Sequence, residues 1–272
     1  MPELPEVETI ARELQQVLPG QMVTRVRVFR DNALDGLSRR EFESRMTGQR
    51  FERVSRRGKF LLFGLPGLGH MVGHLRMTGK FVVAPPPKPR PIHHRVWFEL
   101  ANGQVLAFQD MRCFGTLALV EKLEHYPPLQ RLGVEPLEPV FTANWLTDAL
   151  GQSRTPLKHW LMDQGRIAGL GNIYVAEILH RAGLSPLRPA DQVLPDEARR
   201  LHAATRKVLR EALKHNGTTI SDFRRVDDKT GGFQNFLRVY AKAGTPCPQC
   251  KTAIERIRQQ QRSTYYCPVC QT

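Results

Sequence analysis

Four cysteines near the C-terminal end constrain this chain more than any other feature. Cys247-Pro-Gln-Cys250 and Cys267-Pro-Val-Cys270 are two CxxC knuckles separated by sixteen residues. Each knuckle can offer two thiolates to one ion, and this spacing suits two knuckles closing on a single tetrahedral zinc. Four protein ligands leave no coordination position for water, so the expected single ion is structural. So small a module lacks a core of its own and depends on the metal to fold. Lys251, Arg256, Arg258 and Arg262 lie between the knuckles against one acid, Glu255. A hairpin with that charge is either a phosphate binder or a solvated basic face. The fifth cysteine, Cys113, stands apart and reads as a buried free thiol.

The basic excess extends over the whole chain. Forty Lys and Arg stand against 26 Asp and Glu, a net charge of +14. Such a field favours a polyanion, either nucleic acid or an anionic membrane surface. No apolar run approaches the ~18 residues of a membrane span. The opening MPELPEVETI has neither the basic flank nor the apolar stretch of a signal peptide. The expected location is therefore the cytoplasm, where thiols stay reduced and metal ligation is preferred to disulfide pairing. Charge alone leaves a ribosomal or chromatin-like binder open.

The texture changes near the middle. Short β segments recur at VTRVRVF (23–29), KFLLF (59–63), KFVVA (80–84), RVWFEL (95–100), QVLAF (104–108) and TLALV (116–120). Asn102-Gly103 between the fourth and fifth predicts a hairpin. Strands at this spacing imply an antiparallel sandwich or barrel. The stretch APPPKPRPI (84–92) reads as a surface loop inside that domain. Before the strands, Val7, Ile10, Leu14 and Val17 recur at helical spacing, with Glu3, Glu6 and Glu8 near the positive end of the helix. Beyond about Pro136 the pattern is helical. Leu201, Ala204, Val208 and Ala212 mark one face of a long helix between Pro195 and Asn216-Gly217. Two shorter helices, joined by RIAGLGN, lie between Pro156 and Pro186. The expected class is α+β, divided at 1–134, 135–237 and 238–272.

Several long motifs carry a resemblance. MPELPEVET, SRRGKFL (55–61), LMDQGRIAGLGNIYVAE (161–177) and the terminal CPxCxTxIE…QRSTYYCPVCQ run in order along the chain. Together they resemble the formamidopyrimidine-DNA glycosylase family. The resemblance implies an N-terminal antiparallel β-sandwich with a flanking helix, a helix–two-turn–helix domain and a zinc-finger hairpin. It implies excision of 8-oxoguanine and formamidopyrimidines from double-stranded DNA, followed by β,δ-elimination. The protein is expected to act as a monomer, away from membranes, on the nucleoid.

The resemblance also assigns residues. Pro2, freed by removal of Met1, becomes a secondary amine able to attack a sugar C1′. Glu3 becomes the general acid/base, and Glu6 supports the site. Lys59 contacts phosphates flanking the lesion and assists elimination. Asn172, opening a helix, binds phosphate as free amides at a helix start can. Arg262 grips phosphate from the finger and aids the second elimination. His93, Arg154 and Lys158 fall on the surface facing the DNA backbone. Base flipping leaves a hole in the stack, which Met77, Arg112 and Phe114 fill. Residues 218–234, with Gly231-Gly232, align with the loop that closes over the flipped base.

The chain departs from the family pattern in three places. Cys113 replaces a basic residue between Arg112 and Phe114. VYAK (239–242) replaces VYGR, and Gln261 and Ser263 flank Arg262 where glycines are common. The endonuclease VIII branch of the superfamily, which prefers oxidised pyrimidines, opens MPEGPE and lacks the Arg–Phe pair. Leu4, Arg112 and Phe114 argue against it. The joint presence of Pro2, Glu3 and Lys59 argues against an inactive zinc-finger binder.

Overall fold

The computed structural model describes residues 1–220, 225–226 and 229–272. These residues form two compact units. One comprises Met1–Gln130 with His215–Gly232, and the other Arg131–Lys214 with Phe233–Thr272. The packing units thus cut across a purely sequential partition, because 215–232 returns to the N-terminal unit.

The first unit opens with α1 (Leu4–Val17). Val7, Ile10 and Leu14 are essentially inaccessible, as their spacing predicts. Val17 is 44 % exposed instead, and Leu18 fills the core in its place. The reason is that the helix ends at Val17, and the chain turns inward one residue later. Eight strands follow: β1 (Val23–Val28), β2 (Arg53–Arg57), β3 (Phe60–Leu65), β4 (Gly69–His74), β5 (Gly79–Ala84), β6 (His94–Leu100), β7 (Val105–Asp110) and β8 (Thr116–Val120). They make two antiparallel four-stranded sheets, ordered β1-β6-β7-β5 and β2-β3-β4-β8. Phe63, Phe81, Phe98 and Phe108 from the two sheets share one apolar core with the buried face of α1. Burying each such side chain contributes about 1.5–3 kcal/mol. The Asn102-Gly103 hairpin joins β6 to β7 as predicted.

Three elements of this unit escape a reading of hydrophobic alternation. The β2 sequence RVSRR is mostly charged, and β4 (GHMVGH) is broken by glycine and histidine. Within the β region, α2 (Arg39–Met46) buries only Phe42 and Met46, and Ser38 caps it by accepting from the Glu41 N–H. A short α3 (Pro127–Gln130) closes the unit.

The second unit holds α4 (Ala143–Gly151), α5 (Leu157–Met162), α6 (Asn172–Ala182) and α7 (Pro195–Lys214). All four residues of the predicted α7 face are buried. α6 stops at Gly183, whose left-handed backbone returns its N–H to the last carbonyls of the helix. The unit ends in the antiparallel hairpin of β9 (Glu255–Gln259) and β10 (Arg262–Tyr266). Among the described residues, no helix is long and apolar enough to cross a membrane.

Candidate DNA-repair site

In the first unit, Pro2 is buried immediately before α1. Glu3 and Glu6 are 3 % and 1 % exposed. One Glu6 oxygen accepts from the Glu3 backbone N–H at 2.8 Å, and the other from the Thr218 N–H at 2.7 Å. One carboxylate thus ties the N-terminus to the 215–232 segment. Gly217 makes room for it. A Cβ there would lie 2.8 Å from the Glu6 oxygen, and its φ of +78° is a conformation that favours glycine. Further along α1, Glu13 accepts from Arg225 and from the Val226 N–H. Residues 221–224 and 227–228 of the expected lesion loop lie outside the described residues.

Lys59 sits in the β2–β3 turn and is 6 % exposed. α1 packs against β2, and Arg56 donates to Glu8 at 2.9 Å. This places the Lys59 hairpin beside the helix that Pro2 and Glu3 precede. His74 pairs with Phe60 across β3 and β4 and packs edge-on against its ring. Burial, with the charges of Arg76 and Lys59, lowers its pKa to about 3. It is therefore neutral, and its Nδ1 accepts from the Arg76 N–H at 3.0 Å, just before Met77. Sequence reading missed His74.

Met77, Arg112 and Phe114 come together although Met77 lies on a different loop from the other two. The Arg112 guanidinium donates to the Met77 sulfur at 3.0 Å and lies 5.0 Å from the centre of the Phe114 ring. Met77 and Phe114 are 41 % and 52 % exposed, so the three side chains form one solvent-facing cluster. Cys113, between Arg112 and Phe114, is half-buried rather than buried, because a left-handed backbone (φ 58°) turns it out of the core.

Two buried residues that sequence reading missed, Asp110 and Arg95, hold the loop that carries Arg112 and Phe114. Asp110 accepts from the Thr78 hydroxyl, the Arg112 N–H (3.1 Å) and the Gly115 N–H (2.7 Å). Arg95, 6 % exposed, donates to the carbonyls of Asp110, Ile92 and Met111. His93 is exposed, and its carbonyl accepts from the Asp110 N–H at 2.9 Å. The His93 loop and the Arg112–Phe114 loop therefore share one scaffold.

In the second unit, Asn172 is the first residue of α6, and Gly171 rather than Asn172 occupies the cap position. Its Nδ2 donates to the Ser263 carbonyl at 3.0 Å, leaving its buried Oδ1 without a partner among the described residues. Lys158 does not lie on the exposed surface. It is 1 % exposed, and its Nζ donates to the Ser263 carbonyl (3.1 Å) and the Thr264 hydroxyl (2.6 Å). Its place on α5, directly behind the hairpin, turns the ammonium inward. Burial, with Arg262 nearby, lowers its pKa to about 8. Arg154 is fully out in solvent, 3.6 Å from Asp191. Arg262 is exposed at the start of β10. Gln260 and Gln261 before it make the two-residue turn with φ of 43° and 64°. The hairpin keeps its register without glycine, with Arg262 opposite Gln259. Buried Glu177 accepts from the N–H groups of Arg238, Val239 and Tyr240 at 2.8–3.0 Å.

The four knuckle sulfurs lie within 4.8 Å of one another. Thiolates bound tetrahedrally at ~2.3 Å from one zinc are about 3.8 Å apart. The pairs Cys247–Cys270 and Cys250–Cys267 are at 3.9 and 3.4 Å. The donor set and its size fit one structural zinc.

Family comparison agrees over the same regions. The family model for the formamidopyrimidine-DNA glycosylase N-terminal domain matches residues 1–117, that for its H2TH domain residues 132–224, and that for the zinc finger found in FPG and IleRS residues 244–272. Formamidopyrimidine-DNA glycosylase of Pelotomaculum thermopropionicum is 42 % identical, over all of this chain and 99 % of its own. The chain belongs to the formamidopyrimidine-DNA glycosylase family. It is a DNA glycosylase of base excision repair, with the abasic-site lyase activity typical of that family. The MutM (Fpg) crystal structure from Thermus thermophilus superposes with a TM-score of 0.89 at 42 % identity, covering 99 % of this chain and 98 % of that one. A Lactococcus lactis Fpg complexed with DNA containing an abasic site gives 0.92 at 33 % identity, covering 99 % of each chain.

Proposed function

We propose that Pro2 is the nucleophile and that oxidised purines in double-stranded DNA are the substrate. The carrying observation is the buried Pro2–Glu3 pair at the start of α1, with the Glu3 backbone fixed by Glu6. Met1, 44 % exposed, must first be removed, because with it attached the Pro2 nitrogen is an amide. The free amine attacks C1′ as the base departs, forming an iminium, and Glu3 protonates the ring oxygen as the sugar opens. Elimination then releases the 3′ and 5′ phosphates in turn, and hydrolysis of the iminium returns the amine.

Lys59, Asn172 and Arg262 engage phosphates, with His93 and Arg154 making backbone contacts. Lys158 contributes from behind, by holding the strand that carries Arg262. Met77 and Phe114 fill the vacated stack, and Arg112 donates to the orphaned cytosine. Solved Lactococcus lactis Fpg complexes contain Fapy-dG DNA, which supports this substrate class. The enzyme works as a monomer in the cytoplasm, on the nucleoid.

Borohydride trapping tests the mechanism. Met1-processed protein mixed with a duplex holding 8-oxoguanine opposite cytosine should give a covalent adduct whose linkage maps to Pro2. No adduct, or one mapped to a lysine, would overturn the assignment. Stronger trapping on thymine glycol would overturn the substrate class.

A further inference from the structure

We propose that His180 is a hydrogen-bond donor to the zinc cluster, supplied by α6 from outside the finger. His180 lies in the last turn of α6 and is 1 % exposed. Its Nε2 is 3.4 Å from the sulfur of Cys247, which is itself inaccessible. Its Nδ1 is buried without a partner among the described residues. That pattern fixes the tautomer. A buried orphan N–H is rarer than an orphan acceptor, so the ring proton belongs on Nε2, aimed at the sulfur.

The zinc cluster gives this proton a purpose. Four thiolates around one divalent ion carry a formal charge of about −2, and Cys247 lies on the buried side of the cluster, where donors count for more. Within the finger, backbone N–H groups reach the same sulfurs, Gln249 to Cys247 at 3.5 Å and Cys270 to Cys267 at 3.4 Å. His180 adds a donor from the helix that Asn172 opens. It offsets thiolate charge and fixes Cys247 against the helix. His180 is thus a positioning residue for a metal ligand.

The test uses full-length, zinc-loaded wild type, H180Q and H180F. Zinc affinity is measured by competition with a chromogenic chelator, with circular dichroism confirming that α6 is formed. Groups that support metal ligands in this way typically contribute 10–100-fold in affinity. H180F should lose about that much, and H180Q, whose amide can place an N–H near the same point, should recover most of it. Equal affinity in H180F and wild type, or equal losses in both variants, would overturn the proposal. Should H180F fail to fold, cadmium-113 NMR of the substituted wild type decides. A coupling between the metal and the imidazole Nε2–H is expected, and its absence overturns the proposal.

Discussion

Replacing Asp110 with Asn tests whether one buried carboxylate holds the exposed cluster of Met77, Arg112 and Phe114. One oxygen accepts from the Thr78 hydroxyl and the Arg112 N–H, and the other from the Gly115 N–H. An amide offers a single acceptor oxygen. Whichever way it turns, its NH2 group faces a donor. The smaller of the two losses is the Gly115 bond, at 2.7 Å in a site 1 % exposed. A bond to a charged acceptor contributes about 1.5–3 kcal/mol, and an orphaned buried N–H adds to the cost, so the change should total about 2–4 kcal/mol. At roughly 2–4 °C per kcal/mol, the transition of the N-terminal unit should fall by about 4–16 °C. Calorimetry of the full-length protein measures this. Single-turnover excision opposite cytosine and adenine then reads the role proposed for that cluster, and discrimination should weaken. A transition within about 2 °C of wild type would refute the clamp. A lowered transition with unchanged discrimination would restrict Asp110 to stability.

Left-handed positions without the glycine that suits them include Ala241 (φ 61°), Gln260 (φ 43°) and Gln261 (φ 64°). Ala241→Gly and Gln261→Gly should each stabilise the second unit by about 0.5–1 kcal/mol, read as a rise in urea midpoint, and a fall in either would contradict the strain argument. Lys158 has a folded pKa of about 8 against an ordinary 10.5, so between those values the unfolded state binds more protons. Stability of wild type relative to K158M should therefore rise as pH increases from 8 to 10.5, and a flat difference in urea titrations would argue against burial of a charged amine. Chelating the zinc should unfold the finger and weaken DNA binding, seen by circular dichroism and fluorescence anisotropy; unchanged affinity after verified metal loss would remove the finger from the interface. With its net charge of +14, the protein should bind duplex DNA with an affinity that falls steeply with salt, and a flat titration would contradict phosphate-led binding.

What could be read in advance divides by the range of the interactions. Six strands and the long helix followed from periodicity, because each buries one face and the face is written locally. The cysteine knuckles followed from spacing, because a chelate is a local geometry. β2 did not, since its arginines are amphipathic. Arg56 is only 10 % exposed at its side chain yet remains paired to Glu8, which lies far earlier in the chain. Pro2, Glu3 and Lys59 have no local signal of chemistry at all, and only the long motifs pointed to them.

The residues that hold the site were the hardest to see, and for one reason. A buried charge is tolerable only where partners saturate it, and those partners lie far off in sequence. Asp110 meets Thr78 across 32 positions, and Glu177 meets Arg238 across 61. Lys158 shows the converse error. A lysine before a DNA-binding motif reads as a surface cation, but a carbonyl and a hydroxyl more than 100 positions away turn it inward. On the proposed reading, any influence of Lys158 on DNA passes through the strand bearing Arg262. Loss of the Lys158 amine should consequently disturb the contacts of Arg262 without removing a phosphate contact of its own. The salt dependence of binding separates the two cases. K158M should leave the slope of log affinity against log salt nearly unchanged, whereas loss of a direct phosphate contact would lower it by about 0.9.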